Sequence, residues 1–271
     1  CDALKTKLIA LGCEVKEDDV AAKIEGASAG NIIAVIDGGL PGSILFCAHM
    51  DRVQNGMGIK PCINGDKICS DGSTILSADD LSGVVAILDG LRSVVESGLQ
   101  FPRVEIVFTV CEEIGLRGSY YLNMDQLKSK LGYVLDSPGR IGRILVSAMG
   151  KTELYLDVKG QEAHCAYPEK GNSALRTAIK ILSQIEDGRI DSETVVNWSY
   201  LESLTNPNTV PGNVHAEAFL LSRSDQTMKN YTEKFFDVCR SVEKEFGCEV
   251  FPKAVIKYPS FYNKTFTYTG C

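Results

Sequence analysis

The sequence has no apolar run of 18 residues, no Lys/Arg cluster, no C-x-x-C pair, no internal repeat and no low-complexity segment. Without the first there is no candidate membrane span. No signal-peptide pattern opens the chain either, so the expectation is a protein neither in nor across a membrane. A net charge of −7 with no basic cluster argues against a nucleic-acid or anionic-membrane surface. The ten cysteines are scattered, and Cys47 and Cys111 fall inside or beside apolar strand patterns. They read as free thiols acting as small hydrophobes rather than as a disulfide framework, which favours a reducing cytoplasm. Histidine is scarce as well: His49, His164 and His215 are the only three.

What is present is an ordinary globular composition, 44% hydrophobic and 23% charged, in a length that suits one large domain or two of usual size. The chain is organised around Val104–Gly115, VEIVFTVCEEIG. Its near-continuous apolar run reads as a strand buried on both faces, and Glu112 and Glu113 lie at its carboxyl end, where open α/β sheets place ligands. Further strands are expected at 31–36, 43–48 and 132–136, with helices at 1–12, 84–95 and 115–130. This βαβαβ alternation predicts an α/β domain with a mostly parallel sheet. After Gly150 the strand patterns alternate polar and apolar, at 153–158, 194–198 and 213–220. A strand at 250–256 and two helices, 173–185 and 226–246, complete an α+β domain whose antiparallel sheet is covered on one face.

Four strand or loop ends carry metal-type ligands: His49 with Asp51, Asp79 with Asp80, Glu112 with Glu113, and Asp136. Each has an ordinary explanation when taken singly. His49 suits a satisfied core histidine, Asp79-Asp80 a helix cap, Glu112-Glu113 a solvated turn, and Asp136 before Ser-Pro-Gly a turn. Together, each at a strand end or helix start, they form a set of one imidazole and several carboxylates suited to zinc or manganese in a hydrolytic site. His-x-Asp lets the imidazole bind metal while the aspartate orients the ring from behind. Of two adjacent glutamates, one can coordinate while the other takes a proton from water.

The series AHMD (48–51), SDGSTILSADDLSG (70–83), FTVCEEIGLRG (108–118) and VLDS (134–137) resembles the co-catalytic zinc aminoacylase/carboxypeptidase superfamily, in its peptidase T-like (tripeptide aminopeptidase-like) branch. GIKPCINGDKICSDGSTIL, PEKGNSA after His164, GRIDSET and NTVPGNV extend the likeness, in order, from about residue 30 to 260. The resemblance implies a mostly parallel zinc-peptidase catalytic domain, residues 1–149, and an inserted α+β lid that often serves for dimerisation, residues 150–258. A return segment follows, residues 259–271, with hinges near Gly150 and Tyr258. It further implies two zinc ions, with cobalt or manganese able to use the same ligands. Asp79 would bridge them across a cis peptide to Asp80; His49 and Asp136 would complete one site, and Glu113 would bind the other. Glu112 would be the general base and acid, with Asp51 orienting His49. On the lid, His164 would stabilise the oxyanion, and Asn208 and Arg223 would hold substrate polar groups. His215, on an alternating strand, reads as structural.

The implied activity is hydrolysis of small peptides by a water deprotonated at Glu112, with a possible homodimer through the lid. A dipeptidase, an aminoacylase or a carboxypeptidase is the alternative among amide hydrolases, and a metal-binding but inactive protein the alternative outside enzymes. The family's second zinc takes a last histidine from the segment returning after the lid, and all three histidines here are accounted for. With Cys1 already in a helical pattern, truncation at both ends is the expectation, ahead of a degenerate relative.

Overall fold

The computed structural model describes residues 1–262; most of the expected return segment, at 263–271, lies outside the described residues. The chain divides into two compact units, Cys1–Ile141 and Gly142–Cys271.

The first unit runs α1 (Asp2–Ala10), β1 (Glu14–Glu17), β2 (Ile32–Ile36), β3 (Gly39–His49), a hairpin of β4 (Pro61–Asn64) and β5 (Lys67–Ser70), α2 (Ala78–Ser97), β6 (Phe101–Thr109), α3 (Arg117–Tyr120) and β7 (Gly132–Val134). Its sheet has the order β1-β2-β6-β3-β7. β3 pairs in parallel with both β6 and β7, while β2 is antiparallel to β6 and to β1. Four of the five strands therefore point one way and β2 alone is reversed. Leu8 of α1 and Val84, Ile87 and Leu91 of α2 pack on Ile32, Ala34, Ala48, Ile106 and Phe108, which covers one face. β6 is buried on both faces, as its apolar run requires: Ile106 and Phe108 point to that core, while Glu105, Val107 and Thr109 are buried on the other side.

Glu105 is the exception in that run, a carboxylate with no solvent exposure. It accepts hydrogen bonds from Arg103 Nε at 3.0 Å and from the backbone N–H groups of Lys128 and Ser129. Burial pushes its carboxyl up, but these bonds outweigh that and hold it below the usual range. The same bonds correct one expectation. The helix expected at 115–130 is only Arg117–Tyr120, followed by a short 3-10 turn at Met124–Gln126. The N–H groups of Lys128 and Ser129, which a helix would spend on its own carbonyls, are taken by Glu105 instead.

The second unit holds β8 (Ser147–Ala148), β9 (Gly150–Lys159), α4 (Ala174–Leu182), β10 (Gly188–Asp191), β11 (Thr194–Glu202), β12 (Asn213–Ser222), α5 (Asp225–Phe246), β13 (Glu249–Tyr258) and β14 (Phe261–Tyr262). Its main sheet, β10-β11-β12-β9-β13, is antiparallel throughout. Alternation along β9 and β12 turns Leu154, Leu156, Val158, Val214, Ala216, Ala218 and Leu220 inward against Ala178 and Ile181 of α4 and Phe235 and Val242 of α5. Both helices start at serine caps, Ser173 and Ser224, whose hydroxyls accept an N–H of the first turn, and α5 ends at Gly247 in the left-handed region.

Among the described residues, nine cysteines are free and no helix is long and apolar enough to cross a membrane. Burial raises the thiols of Cys13 to about 11 and of Cys239 to about 12, as suits inert core residues.

Candidate active site

The carboxyl ends of the parallel strands β3, β6 and β7 lie side by side and deliver His49, the Glu112-Glu113 loop and Asp136. The start of α2 brings Asp79 and Asp80. Two groupings place ligand atoms within reach of one ion, His49 with Asp80 and Asp136, and His49 with Asp79 and Glu113. His49 is common to both and is almost wholly buried. Its Nδ1 lies 3.0 Å from the main-chain carbonyl of Asp51 and its Nε2 lies 2.9 Å from Asp79 Oδ1. The carbonyl can only accept, so Nδ1 carries a proton and Nε2 presents its lone pair to a carboxylate. Two acceptors facing each other need a proton or a cation between them. Burial disfavours charge on the ring, yet the bond to Asp79 and the charges of Asp136, Asp51 and Glu112 outweigh it and raise its pKa.

This arrangement alters how Asp51 acts. The ring bonds to its carbonyl, while the carboxylate, 3.6 Å from Nδ1 at Oδ1, accepts the backbone N–H groups of Glu112 and Glu113 at 3.0 and 3.1 Å. Asp51 thus joins the His49 strand end to the glutamate loop. Asp80 does similar work on the other flank. One of its oxygens accepts the N–H of His49 and the other that of Gly83, so both are already engaged and the residue serves as a brace and helix cap. Burial raises its carboxyl to about 6. With Asp80 committed, Asp79 is the freer ligand of the pair. The peptide between them is cis, and α2 takes helical geometry only after Asp80.

Glu112 Oε2 stands 3.9 Å from His49 Nε2. Partial burial, first, and the charges of Asp136, Glu113 and Asp51 lift its carboxyl above the usual range, toward the working range of a general base. Three non-glycine residues with positive φ border the acids: Ser77 at 60°, Cys111 at 56° and Leu116 at 59°. Backbone strain of this kind gathers where surrounding contacts over-determine a functional loop.

Sequence reasoning missed Asn31, which is fully buried at the start of β2. Its Oδ1 accepts the N–H of Val110 at 3.0 Å, and its Nδ2 donates to the Gly118 carbonyl at 2.9 Å and to Asp18. Val110 and Gly118 are the two ends of the loop bearing Glu112 and Glu113. A Cβ on Gly118 would sit 2.0 Å from the Val110 carbonyl oxygen, so only glycine lets the neck close. Asn31 clips that neck shut.

In the second unit, His164 and Asn208 are neighbours. His164 bridges to Thr209, and the Cys165 N–H donates to the Asn208 carbonyl. His164 Nδ1 accepts the Ala166 N–H at 3.1 Å, which leaves Nε2 protonated in the neutral ring and free to donate. Arg223 is elsewhere. It follows β12 at the end that pairs with Gly150, where Nη1 donates to Ser147, whereas His164 and Asn208 lie beyond the end that pairs with Lys159. Ten strand residues separate them, about 30 Å, three times the span of an extended tripeptide. The structure does not bring Arg223 to the other two within this unit. His215 sits on the open sheet face between Asp157 (2.7 Å) and Glu217 (2.9 Å), one carboxylate per ring nitrogen.

The chain and its fold are similar to those of known peptidases. Residues 31–174 match the model of peptidase family M28, and residues 146–246 match a peptidase dimerisation domain of the M20 type. The fold superposes on the aminopeptidase PepT of Bacillus cereus with TM-score 0.94 at 35% identity, over 99% of this chain and 72% of that one. It matches a Staphylococcus aureus tripeptidase with TM-score 0.92 at 30% identity, over 98% and 72%. A Bacillus subtilis dinuclear metal binding peptidase of the M20 family shares the fold, TM-score 0.64 at 15% identity, over 97% and 71%. Three curated Peptidase T sequences, from Fusobacterium nucleatum, Serratia proteamaculans and Geobacillus thermodenitrificans, are 21–25% identical, and the chain covers 44–48% of their length. The chain belongs to the aminoacylase/carboxypeptidase superfamily of peptidases, in its peptidase T-like branch.

Proposed function

We propose that the protein hydrolyses peptide bonds of small peptides, tripeptides first, in a metal-dependent reaction. The observation that carries this is His49 Nε2, which presents a lone pair to Asp79 with Glu113 within one ion's reach, while Asp136 shares a second such grouping with His49 and Asp80. One imidazole and three carboxylates fit zinc, and fit cobalt or manganese as well. His49 and Asp136 would hold one ion, Glu113 a second, and Asp79 both. The chemistry supplied there is Lewis acidity toward a water molecule and the scissile carbonyl.

Glu112 then acts as the base, accepting a proton from that water and returning it to the leaving amine. Asp51 sets the position of Glu112 through the loop N–H groups. His164, with Nε2–H outward, is suited to donate to the carbonyl oxygen as negative charge develops. Asn208 beside it is assigned to substrate polar groups; Arg223, about 30 Å away along β12, would serve a substrate carboxylate through its bidentate fork only for a peptide that His164 of the same protomer does not hold. The dimerisation-domain match supports a homodimer through the second unit. The relatives named above as an aminopeptidase and a tripeptidase favour a tripeptide over the dipeptidase, aminoacylase and carboxypeptidase readings.

The test is tripeptide hydrolysis before and after chelation. Turnover lost with chelator and restored by zinc, cobalt or manganese supports the proposal. Turnover that survives complete metal removal overturns it.

A further inference from the structure

The hairpin β4–β5 belongs to the connection between His49–Asp51 and Asp79 and takes no part in the chemistry above. Its register sets Cys62 directly opposite Cys69. Opposed residues of an antiparallel pair project to the same face, so both thiols share one side of a two-stranded ribbon. The turn is two residues long, between the Asn64–Lys67 pair, and further out the Asp71 N–H donates to the Lys60 carbonyl. Counting inward by two from Lys60–Asp71 makes Cys62–Cys69 a hydrogen-bonded pair, with Cα atoms about 5.5 Å apart, inside the span a disulfide bridges. Cys62 is exposed and Cys69 half-buried, and the Cys62 thiol already leans across the ribbon toward the Ser70 carbonyl at 3.4 Å. The other described cysteines lie on other elements.

We propose that Cys62 and Cys69 form a dithiol modification site that is oxidised reversibly to a disulfide by low-molecular-weight disulfides of the glutathione class. The Cys62 thiolate attacks a sulfur of glutathione disulfide, forming a mixed disulfide and expelling one glutathione thiolate, which takes up a proton. The Cys69 thiolate then attacks the Cys62 sulfur and expels the second glutathione. Two protein thiols are oxidised and one external disulfide is reduced to two thiols. Side chains of a hydrogen-bonded pair stand farther apart than those of a non-hydrogen-bonded pair, so closure draws the strands together. A bond made under that tension, on an exposed hairpin, is readily reduced, as labile rather than structural disulfides are.

The experiment treats the folded full chain with glutathione disulfide, caps residual thiols with N-ethylmaleimide and digests with trypsin. Cleavage follows Arg52, Lys67 and Arg92, while the Lys60–Pro61 bond is spared. Cys62 and Cys69 then lie on separate peptides, 53–67 and 68–92, each with no other cysteine. The expected result is these two peptides joined, in near-stoichiometric yield, and separated again by dithiothreitol. The native chain should link them about tenfold faster than the chain in guanidinium, because the hairpin holds the thiols in register. Cys62→Ser and Cys69→Ser should each abolish the linked species. Two unlinked peptides, each carrying glutathione or maleimide, would overturn the proposal, and so would equal linking rates in the native and unfolded chain.

Discussion

His49 and His215 each sit between carboxylates, yet they belong to different kinds of structure. His215 gives one nitrogen to Asp157 and the other to Glu217 on an open sheet face, so both ring nitrogens are taken by side-chain carboxylates and neither is left for a further ligand. His49 is buried, spends Nδ1 on a carbonyl, and aims Nε2 at Asp79 among Glu113, Asp136 and Glu112. A histidine beside an acid is therefore no sign of a metal centre. The sign is a buried ring with one nitrogen committed to a main-chain acceptor and the other facing carboxylates that converge within one ion's reach.

The most drastic way to break this contrast is to remove each ring in turn. His49→Ala should abolish bound metal and peptide hydrolysis together, while His215→Ala should leave both near the parent level; metal content and turnover on the same preparations decide it. A subtler break goes through Asn31. Asn31→Ala leaves the Val110 N–H and the Gly118 carbonyl unpaired in the core, a loss of about 2–3 kcal/mol in denaturant unfolding. With the glutamate loop loosened, kcat of the folded protein should fall by roughly 10- to 100-fold with little change in KM. An unchanged kcat would make Asn31 structural only.

The smallest effect sharpens the contrast from the other side. The bonds to Glu217, first, and to Asp157 raise the pKa of His215. A group raised on folding contributes stability that is fully present below its unfolded value, about 6.5, and is lost as pH rises through the folded value. The Tm difference between the parent and His215→Gln should accordingly be largest in mild acid and shrink above neutrality. A pH-independent difference would show that the ring acts there without its charge.

Much of the fold was legible because its signals are local. The apolar run at 104–110 became the doubly buried β6, and the alternating segments became a sheet covered on one face by α4 and α5. The residues of the first unit's site were legible because acids at the ends of apolar strands are conspicuous. What stayed hidden depends on partners distant in sequence. Glu105 looked like a blemish in an apolar run, but it meets Lys128 and Ser129 and so cancels the helix expected there. Asn31 gains its meaning only where Val110 and Gly118 arrive beside it, 79 and 87 positions along the chain. The Asp51 carboxylate likewise left the imidazole for two N–H groups of the glutamate loop, a choice no spacing rule encodes.

The most direct test is to measure metal content and tripeptide turnover together on the parent chain and on Glu112→Gln. The account predicts metal bound to both proteins, because Glu112 is the base and not a ligand, with kcat lowered in the variant by about 10²–10⁴-fold. Equal turnover in the two proteins, or a variant that loses its metal along with its activity, would contradict it.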